Sequence, residues 1–237
     1  MSRPRILLLH AFPLDCRMWS ETKRALEEAG WPVVAPDLPG PEAEPSLAAW
    51  ADHVLRSVEG ALVPVGVSMG GYVSFELWRR ARDRIVALAL VDTRARPDTE
   101  EGRRARDENI DLVRDIGAAA LWERLAPKLF GPAPPPETVA RAREIALEQG
   151  SERLAAALAA MRDRADATPL LGEIDVPALV VAGDDDALIP VAEAEALARA
   201  LPHARLVRIP GAGHLPPLER PDQLNAALVS FLAEAVP

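Results

Sequence analysis

A serine framed by glycines, Gly66-Val67-Ser68-Met69-Gly70, directly follows the apolar run from Leu62 to Val65 and precedes a helical pattern from Gly71 to Trp78. Strand, sharp turn with a serine at its apex, then helix is the setting in which G-x-S-x-G carries a nucleophile. Glycines on both sides let strand and helix approach closely, so the serine can hold strained backbone angles with its oxygen above the sheet. A serine hydroxyl is weakly nucleophilic and needs a base. Of the four histidines, His53 falls mid-helix and His203 precedes the last strand on the wrong edge. His10 ends the first strand, and its neighbours point to another role. His214 lies in Gly211-Ala212-Gly213-His214-Leu215-Pro216, just after the last strand, which puts an imidazole at the edge that holds Ser68. The base needs an orienting carboxylate. Gly183-Asp184-Asp185-Asp186 ends the fifth strand at that edge, and one of its three aspartates is the expected partner of His214 Nδ1. A developing oxyanion needs N–H donors. Met69 offers one at a helix N-terminus, and the loop from His10 to Asp15 should offer the other, from Phe12.

These groups must be placed by the elements around them. Apolar runs at residues 6–9, 31–36, 62–67, 85–91, 178–182 and 204–209 read as strands. Most are continuously apolar rather than alternating, as strands covered on both faces are. Helical patterns at 17–30, 47–58, 69–82, 191–200 and 221–235 separate them. The expectation is an α/β fold, an open and mostly parallel sheet of about six strands with helices on both sides. The alternation stops between residues 94 and 171. This stretch has helical patterns near 99–115, 118–129, 136–148 and 152–162, and the proline-rich Gly131 to Pro136 breaks it in two. Residues 1–93 and 172–237 are therefore expected to form the core, with 94–171 a helical cap, or lid, over the carboxyl ends of the strands. Its charges nearly balance, so its arginines read as solvated helix faces.

Composition narrows the function classes. The chain has 237 residues, of which 49% are hydrophobic, enough for a sizeable core. A formal net charge of −9 argues against nucleic acid and anionic membranes as partners. Met1-Ser2-Arg3-Pro4-Arg5 runs into only four apolar residues before His10, too few for a signal peptide or a membrane span. Cys16, the single cysteine, excludes an internal disulfide and fits a reducing cytoplasm. No metal or cofactor is expected, and a homodimer is left open.

Taken together, the motifs resemble the α/β-hydrolase superfamily along essentially the whole chain. His10-Ala11-Phe12-Pro13 is similar to that family's H-G-x-P, Asp37-Leu38-Pro39-Gly40 to its D-x-x-G, and Gly66 to Gly71 to its G-x-S-M-G-G. Gly183 to Asp186 with Pro190 resembles G-x-x-D-x-x-x-P, which selects Asp186 as the acid over Asp184 and Asp185. Gly211 to His214 resembles the G-x-G-H of the base. The resemblance is nearest to small esterases and lactonases, including enol-lactonases and cofactor-free haloperoxidase-like esterases. It implies Ser68, Asp186 and His214 as a catalytic triad, with Phe12 and Met69 as the oxyanion hole. Ala11 departs from the usual glycine, and the usual leading hairpin has no room. The implied reaction is hydrolysis of a small carboxylic ester or lactone through an acyl-enzyme. Phe12, Leu14, Trp122, Phe130 and Leu215 are the expected substrate contacts, with Leu125, Leu129 and Met161 as further lid-lining candidates. A perhydrolase, or a slow-turnover ligand sensor, would share the same triad.

Overall fold

The computed structural model describes residues 3–38 and 44–236. Six strands form one parallel sheet in the order β2-β1-β3-β4-β5-β6. They are β1 Arg5–Leu9, β2 Val33–Val34, β3 Leu62–Val67, β4 Leu88–Val91, β5 Ala178–Gly183 and β6 Ala204–Ile209. The helices are α1 Ser20–Glu28, α2 Leu47–Ser57, α3 Met69–Ala81, α4 Glu100–Asp115, α5 Ala118–Leu129, α6 Pro136–Leu147, α7 Ser151–Arg162, α8 Val191–Ala200, α9 Pro216–Glu219 and α10 Pro221–Ala235. The stretch expected to be one helix at 17–30 divides into a 3-10 turn, Cys16–Trp19, followed by α1.

Period-two geometry distributes each strand between two cores. Leu7, Leu9, Leu88, Leu90 and Val180 pack with α2, α3 and α8 on one face. Ile6, Leu8, Val63, Val65, Ala89 and Val181 pack with α1 and α10 on the other. Both cores extend into α4–α7, the helices between β4 and β5.

Two strands are shorter than the apolar runs that predict them, and proline accounts for both. β2 pairs only through Val33 and Val34, because Pro32 and Pro36 bracket it and cannot donate to the ladder. β4 begins at Leu88 rather than at residue 85. Pro64 lies between the isolated bridge Leu62–Ile85 and the first regular β3–β4 pair, Val65–Ala89, where it has no N–H to offer.

The chain reverses its direction of travel across the sheet between β2 and β3. The loops after β1 and β3 are therefore neighbours at a topological switch point, where such sheets open a crevice. His10, at the end of β1, ties the neighbouring loop down. Its Nε2 accepts the Leu38 N–H at 3.0 Å, so Nδ1 carries the proton and donates to Ala11 O at 3.1 Å. Asp37 anchors the same region by accepting the Cys16 N–H at 2.9 Å. Pro39 and Gly40, the end of the D-x-x-G motif, lie outside the described residues.

Burial holds His10 below the ordinary histidine pKa, outweighing its bond to Ala11 O and the charge of Asp37, and keeps the ring neutral. The unfolded chain takes up a proton near pH 6.5 that the folded chain resists. The contribution is thus complete above that pH and is lost as pH falls below it. Urea denaturation at pH 7 and pH 5 should show a larger loss for the wild type than for His10→Asn; equal losses would refute a buried neutral His10.

Candidate active site

Ser68 has φ +52° and ψ −110°, a conformation that costs roughly 1–3 kcal/mol and persists only where its surroundings enforce it. Its N–H donates to Val91 O at 2.9 Å, and its carbonyl accepts from Thr93 Oγ1 at 2.8 Å. The two flanking glycines are required by contact. A Cβ on Gly66 would lie 2.3 Å from the Gly70 carbonyl carbon, and one on Gly70 would lie 2.1 Å from Leu9 O. Met69 is the first residue of α3, so its N–H has no acceptor within the helix. Phe12 follows β1 in a turn closed by Leu14 N–H to Ala11 O at 3.0 Å. Among the described residues, neither the Phe12 nor the Met69 N–H donates to a backbone group. Both donors remain available to an anion at the positive end of α3.

His214 is buried, and its Nδ1 lies 2.7 Å from Asp186 Oδ2. The other oxygen, Asp186 Oδ1, accepts from Leu188 N–H at 2.7 Å and Ile189 N–H at 3.0 Å. A carboxylate fixed in this way orients the ring and leaves Nε2 as the free end. The neighbouring aspartates are used differently. Asp184 pairs with Arg208 at 2.6 Å, and Asp185 is exposed.

Two further buried acids lie near the Asp186–His214 pair, and neither stands out in the sequence. Asp92 directly follows β4 at φ +42°, and its Oδ1 accepts the Gly183 N–H at 2.8 Å. Its Oδ2 is buried without a donor. Burial, and then the charge of Asp186, push this carboxyl well above the usual range. Glu219, in α9, accepts from Gly213 N–H at 3.0 Å and Leu215 N–H at 3.1 Å, the residues on either side of His214. It also accepts from Gly131 N–H at 2.7 Å, just beyond α5. His214 donates its own N–H to Leu129 O at 3.1 Å. The His214 loop is thus stitched to the end of α5.

Ser68 and His214 line a cavity of about 110 Å³. Phe12, Leu125, Leu129 and Met161 are on its wall, as the motifs and helical spacing led one to expect, together with Tyr72, Arg94, Arg106, Leu188 and Ile189. Four expected substrate contacts are not. Trp122 is buried and meets Phe130 edge-on, ring centres 6.2 Å apart, so both fill the packing around α5 and α6 instead. Leu215 is fully buried in the core, because the residue after His214 turns inward toward α9 and α10. Leu14 borders a separate void of about 20 Å³ with His10, Leu38 and Met69. Cys16 is half-buried, and burial, followed by Asp37, raises its thiol to about 12, an inert state. Tyr72 could have been read from the sequence, since it sits one helical turn beyond Ser68. Arg94 and Arg106 could not, because only tertiary packing brings them to the serine.

The sequence matches the alpha/beta hydrolase family over residues 6–227. It is 34% identical to a pimeloyl-[acyl-carrier protein] methyl ester esterase of Aromatoleum aromaticum, over 94% of this chain and 95% of the relative. Among solved structures it is similar to a thermophilic esterase from Thermogutta terrifontis, solved with malate bound. The TM-score is 0.94 at 36% identity, covering 99% of this chain and 91% of the other. An enol-lactonase from Burkholderia xenovorans superposes with a TM-score of 0.86 at 27% identity, covering 98% and 92%.

The Glu219 contacts give a stability test. Glu219→Ala leaves three buried N–H groups without an acceptor, at ~1–3 kcal/mol each, and should destabilise the fold by about 3 kcal/mol or more. Glu219→Gln, which keeps one acceptor oxygen, should lose less. An alanine variant within about 0.5 kcal/mol of wild type by urea denaturation would show that the carboxylate holds nothing.

Proposed function

Because the chain belongs to the α/β-hydrolase family, we propose that it is a serine hydrolase of small carboxylic esters or lactones. The observation that carries this reading is the 2.7 Å bond from His214 Nδ1 to Asp186, with His214 sharing a cavity with a strained serine at the head of α3. In the reading, Ser68 Oγ attacks the carbonyl carbon while His214 Nε2 takes the hydroxyl proton. The Asp186 carboxylate stabilises the resulting imidazolium. The Met69 and Phe12 N–H groups receive the oxyanion, and removing one such donor costs about 10²–10³ in turnover. Collapse expels the alcohol, which takes the proton from His214, and leaves an acyl-enzyme. Water, deprotonated by His214, then releases the acid and restores Ser68.

Helices α4–α7 act as the cap. Arg106 of α4, Leu125 and Leu129 of α5 and Met161 of α7 all face the cavity, which supports this assignment. A space of about 110 Å³ favours short acyl groups over long chains. The named activities of the relatives, methyl ester and enol-lactone cleavage, belong to the same class of acyl transfer to water.

Ser68→Ala should abolish hydrolysis of p-nitrophenyl acetate while leaving the fold intact; retained turnover would exclude Ser68 as nucleophile. Asp186→Asn should reduce kcat by about 10³–10⁴, the scale on which a triad acid acts. Asp184→Asn should stay near wild type, because that side chain faces Arg208. The opposite ranking would move the acid to another aspartate.

A further inference from the structure

The cap carries a charge that the acyl-transfer chemistry does not use. Asp98 is a buried carboxylate shared by three guanidinium groups. Its Oδ1 lies 3.0 Å from Arg94 Nη2 and 2.9 Å from Arg164 Nη1, and its Oδ2 lies 3.1 Å from Arg106 Nε. Burial opposes its ionisation, but Arg106 and Arg164 outweigh that and hold it below the usual carboxylate range. Three positive charges thus meet one negative, and the cluster keeps an excess of two.

The three arginines are not equivalent. Arg164 has a side chain only 3% exposed and is committed to the fold. It donates to Met161 O and Arg96 O at 2.8 and 2.9 Å and stacks over the Tyr72 ring at 4.3 Å. Arg94 and Arg106 remain 28% and 22% exposed, and both line the cavity that holds Ser68 and His214. Among the described residues, Arg106 uses only Nε, leaving both Nη groups without an acceptor. The Arg94 Nε is buried and unpaired. Confined cationic donors without acceptors favour an anionic ligand.

We infer that Arg94 and Arg106 form a carboxylate-binding subsite on the wall of the Ser68 cavity, so that the enzyme selects esters or lactones whose acyl portion carries a carboxylate. The planar pair of carboxylate oxygens matches the edge of a guanidinium group. Such a group is also small enough to share about 110 Å³ with the ester carbonyl and a short aliphatic chain against Leu125, Leu129 and Met161. Asp98 is the positioning residue that aims both guanidinium groups. This inference rests on reading Ser68 as the nucleophile.

The test compares monoethyl glutarate with ethyl 5-methylhexanoate, in which two methyl groups replace the carboxylate oxygens, by ethanol release. Wild type should prefer the anionic ester in kcat/KM by about tenfold or more, the effect expected of one charge-assisted hydrogen bond. Arg106→Gln should raise KM for monoethyl glutarate by a similar factor and change the kinetics of the neutral ester far less, with Arg106→Lys recovering part of the loss. Equal treatment of both esters by wild type, or parallel losses on both in Arg106→Gln, would overturn the subsite. A preference for a neutral acyl ester whose alcohol bears the carboxylate would overturn the acyl assignment. A second readout needs no turnover: glutarate, but not glutaramide, should raise the melting temperature of wild type and not of Arg106→Gln. If neither ester is hydrolysed but this shift persists, the hydrolase reading fails and the anion site stands. If the shift is also absent, both fail.

Discussion

The site depends on one backbone constraint, the positive φ of Ser68 between β3 and α3. A serine does not adopt that conformation unless its neighbours leave it no alternative. Here the crowding is backbone on backbone. Gly66 lies against Gly70, and Gly70 lies against Leu9 of β1, so no side-chain rearrangement could relieve the contact. The strain is thus underwritten by the parallel sheet itself, with β1 beside β3 and β3 beside β4. The same closeness sets the Phe12 loop beside the head of α3. The Phe12 and Met69 N–H groups and the Ser68 hydroxyl are consequently fixed by one packing arrangement rather than by separate loops.

Burial also brings acidic groups together around the His214 loop. Asp92, Asp186 and Glu219 are all buried acids near one imidazole. Asp186 has two backbone donors and the histidine, and Glu219 has three backbone donors. Asp92 has one, and burial together with the charge of Asp186 raises its pKa well above the usual carboxylate range. The three acids thus differ in the number of donors that hold them.

Much of this was legible in the sequence because parallel strands announce themselves as short apolar runs with helices between them. Bounds were clearest where the chain marks its own turns: α8 follows Pro190 and α10 begins at Pro221, at the expected residues. They were least clear where proline acts inside a run, as Pro64 and Pro36 do, because an apolar pattern does not report a missing N–H. Loop glycines pointed to His214 and adjacent aspartates to the loop after β5, but only the family resemblance chose Asp186 among the three. The cavity wall was harder. Trp122 and Phe130 look like substrate contacts by size and spacing, yet they satisfy one another. Conversely, arginines that read as solvated faces include Arg164, which is buried, and Arg106, which turns to the cavity. Periodicity shows that a helix has an apolar side; it does not show which neighbour that side meets.

The Glu219 stitch has a consequence for how this architecture can be rearranged. Helical insertions between two strands invite exchange, since their ends lie close together in the sheet. Here α5 shares backbone bonds with the histidine loop through Leu129, and Gly131 shares the Glu219 carboxylate with that loop. A graft exchanged at residues 94 and 171 would cut across those bonds and misplace the imidazole even if every catalytic side chain were retained. The structural unit is therefore discontinuous: residues 129–131 belong with residues 213–219, and only an exchange that keeps the pair together keeps these bonds.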